Sequence, residues 1–564
     1  MSYPCNKIIQ IKKFYALLLS VALIWFMWSI TGVHFETNDD RYINSILAGV
    51  LSGKPDPIVF HINYFVSAPL AFLYHITVKI PWYGLFLTSV YLGGYFILFD
   101  CLLKKINNLI EIIGISLVGI TVCLSFWYII AQIQFTSTTI FLASIGYLCL
   151  FFEDDAHKGL LKFSVIETLA CLIRKDAMLL VQPIGLGAYF GFLLLQKNKD
   201  IKAKVKQVLY PCCVILFALT VELLGRVCGG YFNTDLQSYK EMNDERVFIA
   251  DYHCAPDYEE ITDILNKHNI TKNQYEAYFR YSDIGYSMSI ECLTEIAQYI
   301  QNVTQRNVYD IVIGLKKVLF EYKPWNYDKL SWILFIGVII LSAVTKDITV
   351  LSGAIGLECG KFFVWGFLYY RGRVLNRVSI PLFFCETIIL FSFCLLLYMR
   401  TKMGVKLRCF VYTAAISFIL LIGFKCIYPQ GKDLANSYQS RTLYMNALNE
   451  VINYCEDHEE YNYILDAWSF GFFCGSAYET RLYKPSNYVF SGWFGTLPSI
   501  RHRITDFVSS VEGIHYIILD ENNSSESVEV NYLKNLTNSE PIVQEKIHTS
   551  IGIDYAVLYF PDGD

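Results

Sequence analysis

The sequence is poor in charged residues. Asp, Glu, Lys and Arg make up 17% of its 564 residues, whereas about 25% is typical of soluble proteins. The shortage is concentrated in long, nearly uncharged segments, while other segments have the composition of ordinary soluble protein. This block pattern predicts membrane spans joined to water-facing modules. There is also no basic tract, so we expect no nucleic-acid partner.

Several familiar cysteine and processing signals are missing. The 17 cysteines include no CxxC pair and no Cys/His metal-ligand spacing, and most lie in apolar runs, where cysteine behaves as a small hydrophobe. A disulfide among Cys254, Cys292, Cys455 and Cys474 stays open, although no spacing favours it. The apolar run at 14–33 has no small-x-small cleavage site after it, so we interpret it as an uncleaved first span.

Long apolar runs predict a polytopic membrane protein, since roughly 20 apolar residues cross a hydrocarbon layer of about 30 Å. We predict an all-α membrane bundle of about 11 spans. The expected spans are 14–33, 82–103, 109–130, 133–152, 160–174, 177–196, 207–228, 330–345, 348–370, 378–399 and 405–424.

The placement of lysine and arginine predicts the orientation. Lys7, Lys12 and Lys13 place the N-terminus in the cytoplasm. If Ile58–Ile80 lies in the membrane interface instead of crossing, Lys104, Lys105 and the 197–206 cluster also fall inside, which favours the interfacial interpretation. The C-terminus is then extracytoplasmic, and the chain is a multi-pass protein of the cell membrane.

Four regions follow from this pattern. Residues 1–228 form an N-terminal membrane module with a first extracytoplasmic loop at 34–81. A large extracytoplasmic helical loop spans 229–329, and further spans occupy 330–424. Residues 425–564 alternate strand-like and helical runs, which predicts an extracytoplasmic α/β domain.

Two adjacent carboxylates, Asp39 and Asp40, come shortly after the first span. One of them can act as a general base toward a hydroxyl, or the pair can hold a divalent cation. The alternative is structural: an acidic first turn stabilises the start of a helix. The residues alone do not decide between these roles.

An acidic motif after the first span, interfacial helices, many spans and an extracytoplasmic C-terminal domain together resemble the GT-C glycosyltransferases. The run from Thr37 to Gly49, with Gly53–Asp56 after it, is also similar to Firmicutes membrane proteins of surface-polysaccharide regions. The resemblance implies a polyprenyl-phosphate sugar donor and a catalytic base at Asp39 or Asp40. It leaves the donor sugar open.

Basic residues on the same expected side are candidates for contact with the donor phosphate. Arg174 and Lys175, followed by Asp176, lie between two apolar runs and form either a plain turn or a phosphate contact, since guanidinium binds phosphate bidentately. Arg41 follows the two aspartates. A further cluster of Arg371, Arg373 and Arg377 opposes the usual charge bias, which indicates either a span miscount or an anionic partner such as a lipid phosphate.

Two further features have structural and functional interpretations. Asp251, His253 and Asp257 have a spacing compatible with a metal site, but a solvated acidic loop is the commoner origin of such a pattern. Aromatic residues of the polar modules can stack on sugars or simply fill a core. Those singled out are Trp468, Tyr478, Trp493 and Phe494.

Together these observations predict a membrane glycosyltransferase that moves a sugar from a polyprenyl-phosphate donor in the outer leaflet to a hydroxyl of a surface glycan. Metal ligands are not predicted, and a divalent cation is compatible with this chemistry without being required. One alternative is a polysaccharide polymerase or flippase-like transporter, with Glu167, Glu222 and Glu386 lining a pathway. The other is a non-catalytic envelope scaffold.

Overall fold

The protein is mostly helical, with one small sheet near its C-terminus. The computed structural model describes residues 3–561 apart from 154, 197–200, 231–233, 281, 285–287, 305–307, 321–326, 401–404, 471–474, 480–486, 493–494, 496, 510–512 and 524–526. Eight of the described helices are long and apolar enough to cross a membrane. The predicted polytopic helical bundle with a C-terminal α/β domain is confirmed.

The helices of the membrane region fall into two groups along the chain. The first group is α1 (Tyr3–Thr31), α2 (Asn38–Ala48), α3 (Tyr64–Ile76), α4 (Trp82–Leu103), α5 (Leu109–Ser125), α6 (Tyr128–Ala131), α7 (Phe135–Phe152), α8 (Ala156–Leu194) and α9 (Ile201–Cys228). The second group is α15 (Tyr327–Thr345), α16 (Ile348–Arg371), α17 (Asn376–Arg400) and α18 (Val405–Asp457).

Short helices form the polar loop between these groups. They are α10 (Thr234–Arg246), a π-helical turn Val247–His253, a 3₁₀ turn Tyr258–Glu260, α11 (Thr262–Lys267), α12 (Lys272–Phe279), α13 (Ile290–Val303) and α14 (Val308–Phe320). The loop has a small hydrophobic core of its own around Leu265, Cys292 and Ile296, all fully buried. Burial of these side chains stabilises the polar loop, although the loop contains many acidic residues.

Helix α8 reverses direction at Arg174. Its 39 residues would span about 58 Å if straight, yet Gln182 Nε2 donates a hydrogen bond to Glu167 Oε2 at 3.0 Å. Fifteen residues of straight helix would separate these side chains by about 22 Å. Arg174 has extended backbone angles (φ −158°, ψ 101°), so α8 consists of two antiparallel arms, as the predicted spans 160–174 and 177–196 require.

The structure has eight candidate membrane-spanning helices among its described residues, whereas the sequence predicted eleven spans, and the difference in number has identifiable causes. Helix α8 counts once although it covers two predicted spans, and α5 has only 17 residues. Most side chains of the predicted span 405–424 lie outside the described residues. Helix α3 has 13 residues, about 20 Å, which is too short to cross about 30 Å of hydrocarbon and agrees with an interfacial segment.

Glycines bring the second arm of α8 and α16 into close contact at one end. A Cβ on Gly187 would lie 2.3 Å from the carbonyl oxygen of Gly356, and one on Gly360 would lie 2.0 Å from that of Pro183. Small residues allow such backbone approach in membrane helices. Beyond these contacts, toward Arg174 and Arg371, a groove separates the two helices.

Helix α18 connects the membrane bundle to the C-terminal domain without a break, and at 53 residues it is about 80 Å long. The buried amide of Gln430, midway along it, accepts a hydrogen bond from the Tyr128 N–H at 2.8 Å. The same side chain donates to the Ser125 carbonyl at 3.1 Å. The boundary expected at 424/425 thus falls inside one continuous helix.

The C-terminal domain packs α19 (Ala467–Phe470), α20 (Pro498–Val508), α21 (Val528–Thr537) and part of α18 on a five-stranded sheet. Its strands are β3 (Tyr463–Leu465), β4 (Tyr488–Phe490), β5 (Ile514–Leu519), β6 (Ile542–His548) and β7 (Asp554–Phe560), in the order β4-β3-β5-β7-β6. β3 is parallel to β4 and β5, whereas β7 is antiparallel to β5 and β6. In the membrane module, β1 (His34–Phe35) pairs in parallel with β2 (Gln132–Ile133).

Candidate functional site

The two adjacent aspartates face different environments, because neighbouring positions on a helix point about 100° apart. Both lie in the first turn of α2. The Asp39 side chain is 19% exposed and lines a polar cavity. Asp40 is fully buried and does not line that cavity. The sequence left open which of the two could act as a base, and of the two only Asp39 lines the cavity.

Asp40 is held inside the protein by two hydrogen bonds. Its Oδ1 accepts from the Tyr83 hydroxyl at 2.7 Å and from the Phe135 N–H at 3.1 Å, while Oδ2 has no hydrogen-bond partner among the described residues. Burial raises the pKa of Asp40 well above its usual value, against the opposing effect of the Tyr83 hydrogen bond. Asp40 therefore ties α2 to α4 and α7 rather than facing a substrate.

The cavity is enclosed by parts of the chain that are far apart in sequence. Its volume is about 1240 Å³. The walls come from the start of α2, the segment between α2 and α3, the turn of α8, the polar loop, the α16–α17 connection with the start of α17, and the C-terminal domain. The lining residues are Asn38, Asp39, Tyr42, His61, Arg174, Asn243, Arg246, Val247, Asp251, Tyr252, Arg373, Arg377, Ala467, Trp468, Ser491 and Gly492.

Most of the predicted basic site residues reach this region. Arg174, Arg373 and Arg377 line the cavity and an adjoining groove, whereas Arg371 lines the groove only. Lys175 lines neither. Arg41 is buried, and its guanidinium lies 5.2 Å from the centre of the Phe490 ring, so it packs against the C-terminal domain.

The arginines of the α16–α17 segment have defined neighbours. Arg377 Nη1 lies 4.0 Å from Asp39 Oδ2, and Arg373 Nη1 lies 2.9 Å from Asp251 Oδ2. The guanidinium groups of Arg371 and Arg373 lie 4.7 and 5.4 Å from the centre of the Tyr252 ring. The cluster that opposes the charge bias thus lies at the same end of the bundle as Asp39.

Asp251 and Tyr252 reach the cavity because the chain forms a π-helical turn at Val247–His253, a rare geometry that often occurs at functional sites. The carboxylate of Asp251 faces Arg373, and His253 Nδ1 lies 3.0 Å from the Phe248 carbonyl oxygen. No group of three His, Cys, Asp or Glu side chains suited to a metal ion occurs among the described residues. Asp251 is an ion-pair partner in this arrangement.

The cavity carries a net positive charge. Its walls contain four arginines and two aspartates. His61 stacks on Phe135, with ring centres 5.3 Å apart and planes at 14°. Burial lowers the pKa of His61 well below its usual value, and the charges of Arg174, Arg377 and Arg246 lower it further. An excess of guanidinium groups in a partly enclosed cavity favours an anionic ligand.

A mostly apolar groove of about 1520 Å³ continues from the cavity between the second arm of α8 and α16. Arg174, Tyr252, Arg373 and Arg377 line both spaces. Farther along, the groove is lined by Leu179, Leu180, Pro183, Phe363, Val364, Phe367 and Leu368. Phe363 is 68% exposed and lies on a membrane-spanning helix, so the groove opens toward the lipid side.

The aromatic candidates have separate locations. Trp468 lines the cavity and is 43% exposed. Tyr478 packs at the junction with the membrane region, where its hydroxyl is 2.5 Å from that of Thr88. Trp493 and Phe494 lie outside the described residues.

Of the four cysteines considered for a disulfide, Cys254, Cys292 and Cys455 are free thiols. Cys474 lies outside the described residues.

Sequence reasoning missed Asn243 and Arg246, which lie in an even mixture of polar residues with no distinguishing spacing. It also missed Tyr42, one helical turn after Asn38. The periodicity of α2, in which Asn38, Asp39 and Tyr42 share a side, was the available signal.

The acidic residues considered for a transport pathway have close neighbours. Glu386 accepts a hydrogen bond from Lys361 at 2.6 Å, and Glu222 pairs with Arg226 one turn later on α9. Glu167 accepts from Gln182. These carboxylates belong to separate local interactions and do not line the cavity or the groove.

The known proteins to which this chain is similar are solved structures. No protein-family model matches the chain, and no curated protein matches it. Among solved structures, the chain is similar to ArnT from Cupriavidus metallidurans in the apo state, with 10% identity, a TM-score of 0.39, and coverage of 96% of this chain and 97% of that one.

It is also similar to the Archaeoglobus fulgidus oligosaccharyltransferase tethered to an acceptor peptide. The identity is 11% and the TM-score 0.40, with coverage of 100% of this chain and 75% of that one. At TM-scores below 0.5, these similarities carry no inference about activity.

Proposed function

We propose that this protein is a membrane glycosyltransferase that transfers a sugar from a polyprenyl-phosphate donor to a hydroxyl group of a cell-surface glycan. One observation supports this most directly: the same four residues line an apolar groove and a polar, positively charged cavity. A polyprenyl-phosphate sugar has chemical groups in the same order, namely a long apolar chain, an anionic phosphate and a polar sugar.

The prenyl chain occupies the groove between α8 and α16, and the phosphate lies at Arg174, Arg373 and Arg377. The sugar then extends into the cavity toward Asp39. Guanidinium groups placed at the phosphate stabilise the charge that develops on it as the leaving group departs. This placement uses three of the predicted substrate-binding arginines, with Arg371 at the groove side.

Asp39 is the proposed general base, and Asp40 and Arg41 have positioning roles. The acceptor hydroxyl oxygen forms a bond to the anomeric carbon, while the bond from that carbon to the phosphate oxygen breaks. The hydroxyl proton passes to Asp39, and the lipid phosphate leaves. Arg377 Nη1 lies 4.0 Å from the Asp39 carboxylate, so the proposed base and a phosphate-binding group can reach the same reacting centre.

The direct test uses full-length protein in lipid nanodiscs with farnesyl phosphate as a short analogue of the lipid product. We expect the wild type to bind it, and Arg373→Gln and Arg377→Gln to bind it at least about tenfold more weakly, because charge-assisted contacts to phosphate are lost. Lys175→Gln, outside both spaces, is the matched control. A wild type without affinity for farnesyl phosphate would refute the proposal.

The orientation is a separate part of the proposal, with the cavity on the extracytoplasmic side. Cys254 is exposed and follows the segment that lines the cavity. A membrane-impermeant maleimide added to intact cells should label the wild type more strongly than Cys254→Ser. Labelling of Cys254 only after the cells are opened would place the cavity in the cytoplasm.

The transporter and scaffold alternatives make different predictions. A transporter requires ionisable groups along a pathway through the bilayer, whereas the described candidates lie in separate pairs. A scaffold has no need for a base, so replacement of Asp39 would leave surface glycans unchanged.

A further inference from the structure

The cavity wall formed by the C-terminal domain has a chemistry unlike the rest of the site. This domain contributes Ala467, Trp468, Ser491 and Gly492, which carry no ionisable side chain. The charged lining residues all come from the membrane region and the polar loop. The cavity therefore has three arginines that also line the groove and a neutral wall, with Trp468, that does not line it.

The position of this wall in the sheet indicates a binding surface. Ala467 and Trp468 come two and three residues after the end of β3, and Ser491 and Gly492 directly follow β4. These two strands are adjacent and parallel. In open α/β sheets, ligands bind outside the carboxyl ends of parallel strands, and that edge of this sheet faces the cavity.

Trp468 is held in place by a buried hydrogen-bond network centred on Asp466. The Asp466 carboxylate accepts from the Tyr516 hydroxyl at 2.7 Å, from the Ser282 hydroxyl at 3.0 Å and from the Ser469 N–H at 2.7 Å. The Ala467 N–H donates to the Ser491 hydroxyl at 2.8 Å. Strands, α19 and the polar loop thus fix the backbone on both sides of an indole that is 43% exposed.

We propose that Trp468, with Ser491 and Gly492, forms a subsite for a carbohydrate acceptor, on which a pyranose ring of the acceptor stacks against the indole. This inference rests on the proposed function, because it assigns the cavity wall that does not line the donor groove. A pyranose has a face of C–H groups, which are attracted to the negative face of an aromatic ring. The neutral lining suits a ring whose remaining contacts are hydroxyl groups.

The geometry explains why the ligand here is the acceptor. Trp468 lines the cavity but not the groove, whereas the phosphate-facing arginines line both. A donor that enters through the groove places its anomeric carbon beyond those arginines. An acceptor ring on Trp468 approaches that carbon from a wall that the donor groove does not use, with Asp39 in the same cavity to receive its hydroxyl proton.

The test measures two ligands on the same nanodisc preparations of full-length protein. Trisaccharides of glucose, galactose and mannose serve as acceptor probes, and farnesyl phosphate reports on the donor side. We expect at least one trisaccharide to bind the wild type, Trp468→Ala to bind it at least about tenfold more weakly, and Trp468→Phe to recover most of the affinity. Trp25→Ala, which removes an exposed indole from α1, is the matched control.

Farnesyl phosphate should bind Trp468→Ala as it binds the wild type, which also shows that the variant is folded. The subsite is refuted if the wild type binds none of the trisaccharides, if it binds serine-containing tripeptides instead, or if Trp468→Ala and Trp468→Phe bind equally. A wild type that does not bind farnesyl phosphate would refute the proposed function instead. Failure of the acceptor subsite and failure of the proposed function are therefore distinguishable.

Discussion

Asp39 Oδ2 and Arg377 Nη1 lie 4.0 Å apart in the cavity, although one precedes and the other follows the polar loop in the sequence. Their side chains are 19% and 20% exposed, so the pair is partly desolvated and its attraction is stronger than that of a surface pair. The contact brings the start of α2 and the start of α17 to one end of the bundle. The proposed base and a proposed phosphate-binding residue thus line the same cavity.

Replacement of each aspartate should separate a catalytic role from a structural one. We expect Asp39→Asn to lower sugar transfer by about 10²–10⁴-fold, the usual contribution of a general base. Asp40→Asn should leave transfer within about threefold of wild type, because its amide oxygen still accepts from Tyr83 and Phe135 and no charge at the reacting centre is lost. Analysis of surface glycans in a deletion strain that expresses each variant measures the difference. Equal loss in both variants, with normal expression, would contradict this assignment.

The same Asp40 variant should change the dependence of stability on pH. The pKa of Asp40 is raised in the folded protein, so its contribution to stability is fully present below the unfolded value of about 3.9 and decreases as pH rises. Asn has no such loss. In thermal denaturation in detergent between pH 4 and 8, the melting temperature of Asp40→Asn should therefore rise relative to that of the wild type as pH increases. A constant difference between the two would show that Asp40 does not titrate differently on folding.

Asp251 is predicted to compete with the donor phosphate for Arg373. Its carboxylate lies 2.9 Å from that guanidinium, and both side chains are about a quarter exposed, so the pair stabilises the protein by at most about 1 kcal/mol. Asp251→Asn should then bind farnesyl phosphate about two- to fivefold more tightly, as measured in nanodiscs. Asp257→Asn, at an exposed site in the same loop, is the control. Weaker binding by Asp251→Asn would indicate that the ion pair positions the loop for the ligand.

His61 should make the protein sensitive to mild acid. Its pKa is lowered in the folded protein by burial and by nearby arginines, whereas it is about 6.5 when unfolded. The folded state therefore binds fewer protons, and stability present above pH 6.5 is lost as pH falls below that value. Melting temperatures between pH 7.5 and 5.5 should fall less for His61→Gln than for the wild type. Parallel curves would rule out His61 as the group responsible.

The buried pair of Lys361 and Glu386 should be structural. Lys361 Nζ lies 2.6 Å from Glu386 and 3.4 Å from Glu358, and all three side chains are buried. Lys361→Met leaves two uncompensated carboxylates, which should destabilise the fold by about 3–5 kcal/mol. The triple variant with Glu358→Gln and Glu386→Gln should recover most of that loss in thermal denaturation. A Lys361→Met variant of normal stability would favour a functional role in a transport pathway.

The helices were largely predictable, because spanning length and apolar composition are local properties of the sequence. The reversal at Arg174 was visible only as a charged triplet between two apolar runs. The side on which the α16–α17 arginines lie could not be taken from local charge, since Arg371, Arg373 and Arg377 oppose the usual bias. Their position depends on how many times the preceding chain crosses the bilayer, so one miscounted span would reverse it.

The site was predictable only in part. Asp39, Arg174, Arg373 and Arg377 were candidates because a carboxylate can act as a base and guanidinium groups bind phosphate, although each position also had a simpler explanation. The sequence did not distinguish Asp39 from Asp40, since adjacent residues have the same local composition. What differs is the packing of α4 and α7 around Asp40, which involves Tyr83 and Phe135 from distant parts of the chain.

The sequence by itself determined the membrane bundle, the polar loop and the C-terminal α/β domain, because apolar periodicity and length decide how each segment meets water or lipid. The tertiary structure alone decided that Asp39, Asp251, Arg377 and Trp468 share one cavity. Contacts between segments so distant in the chain depend on helix packing and on the reversal at Arg174, which no local pattern encodes.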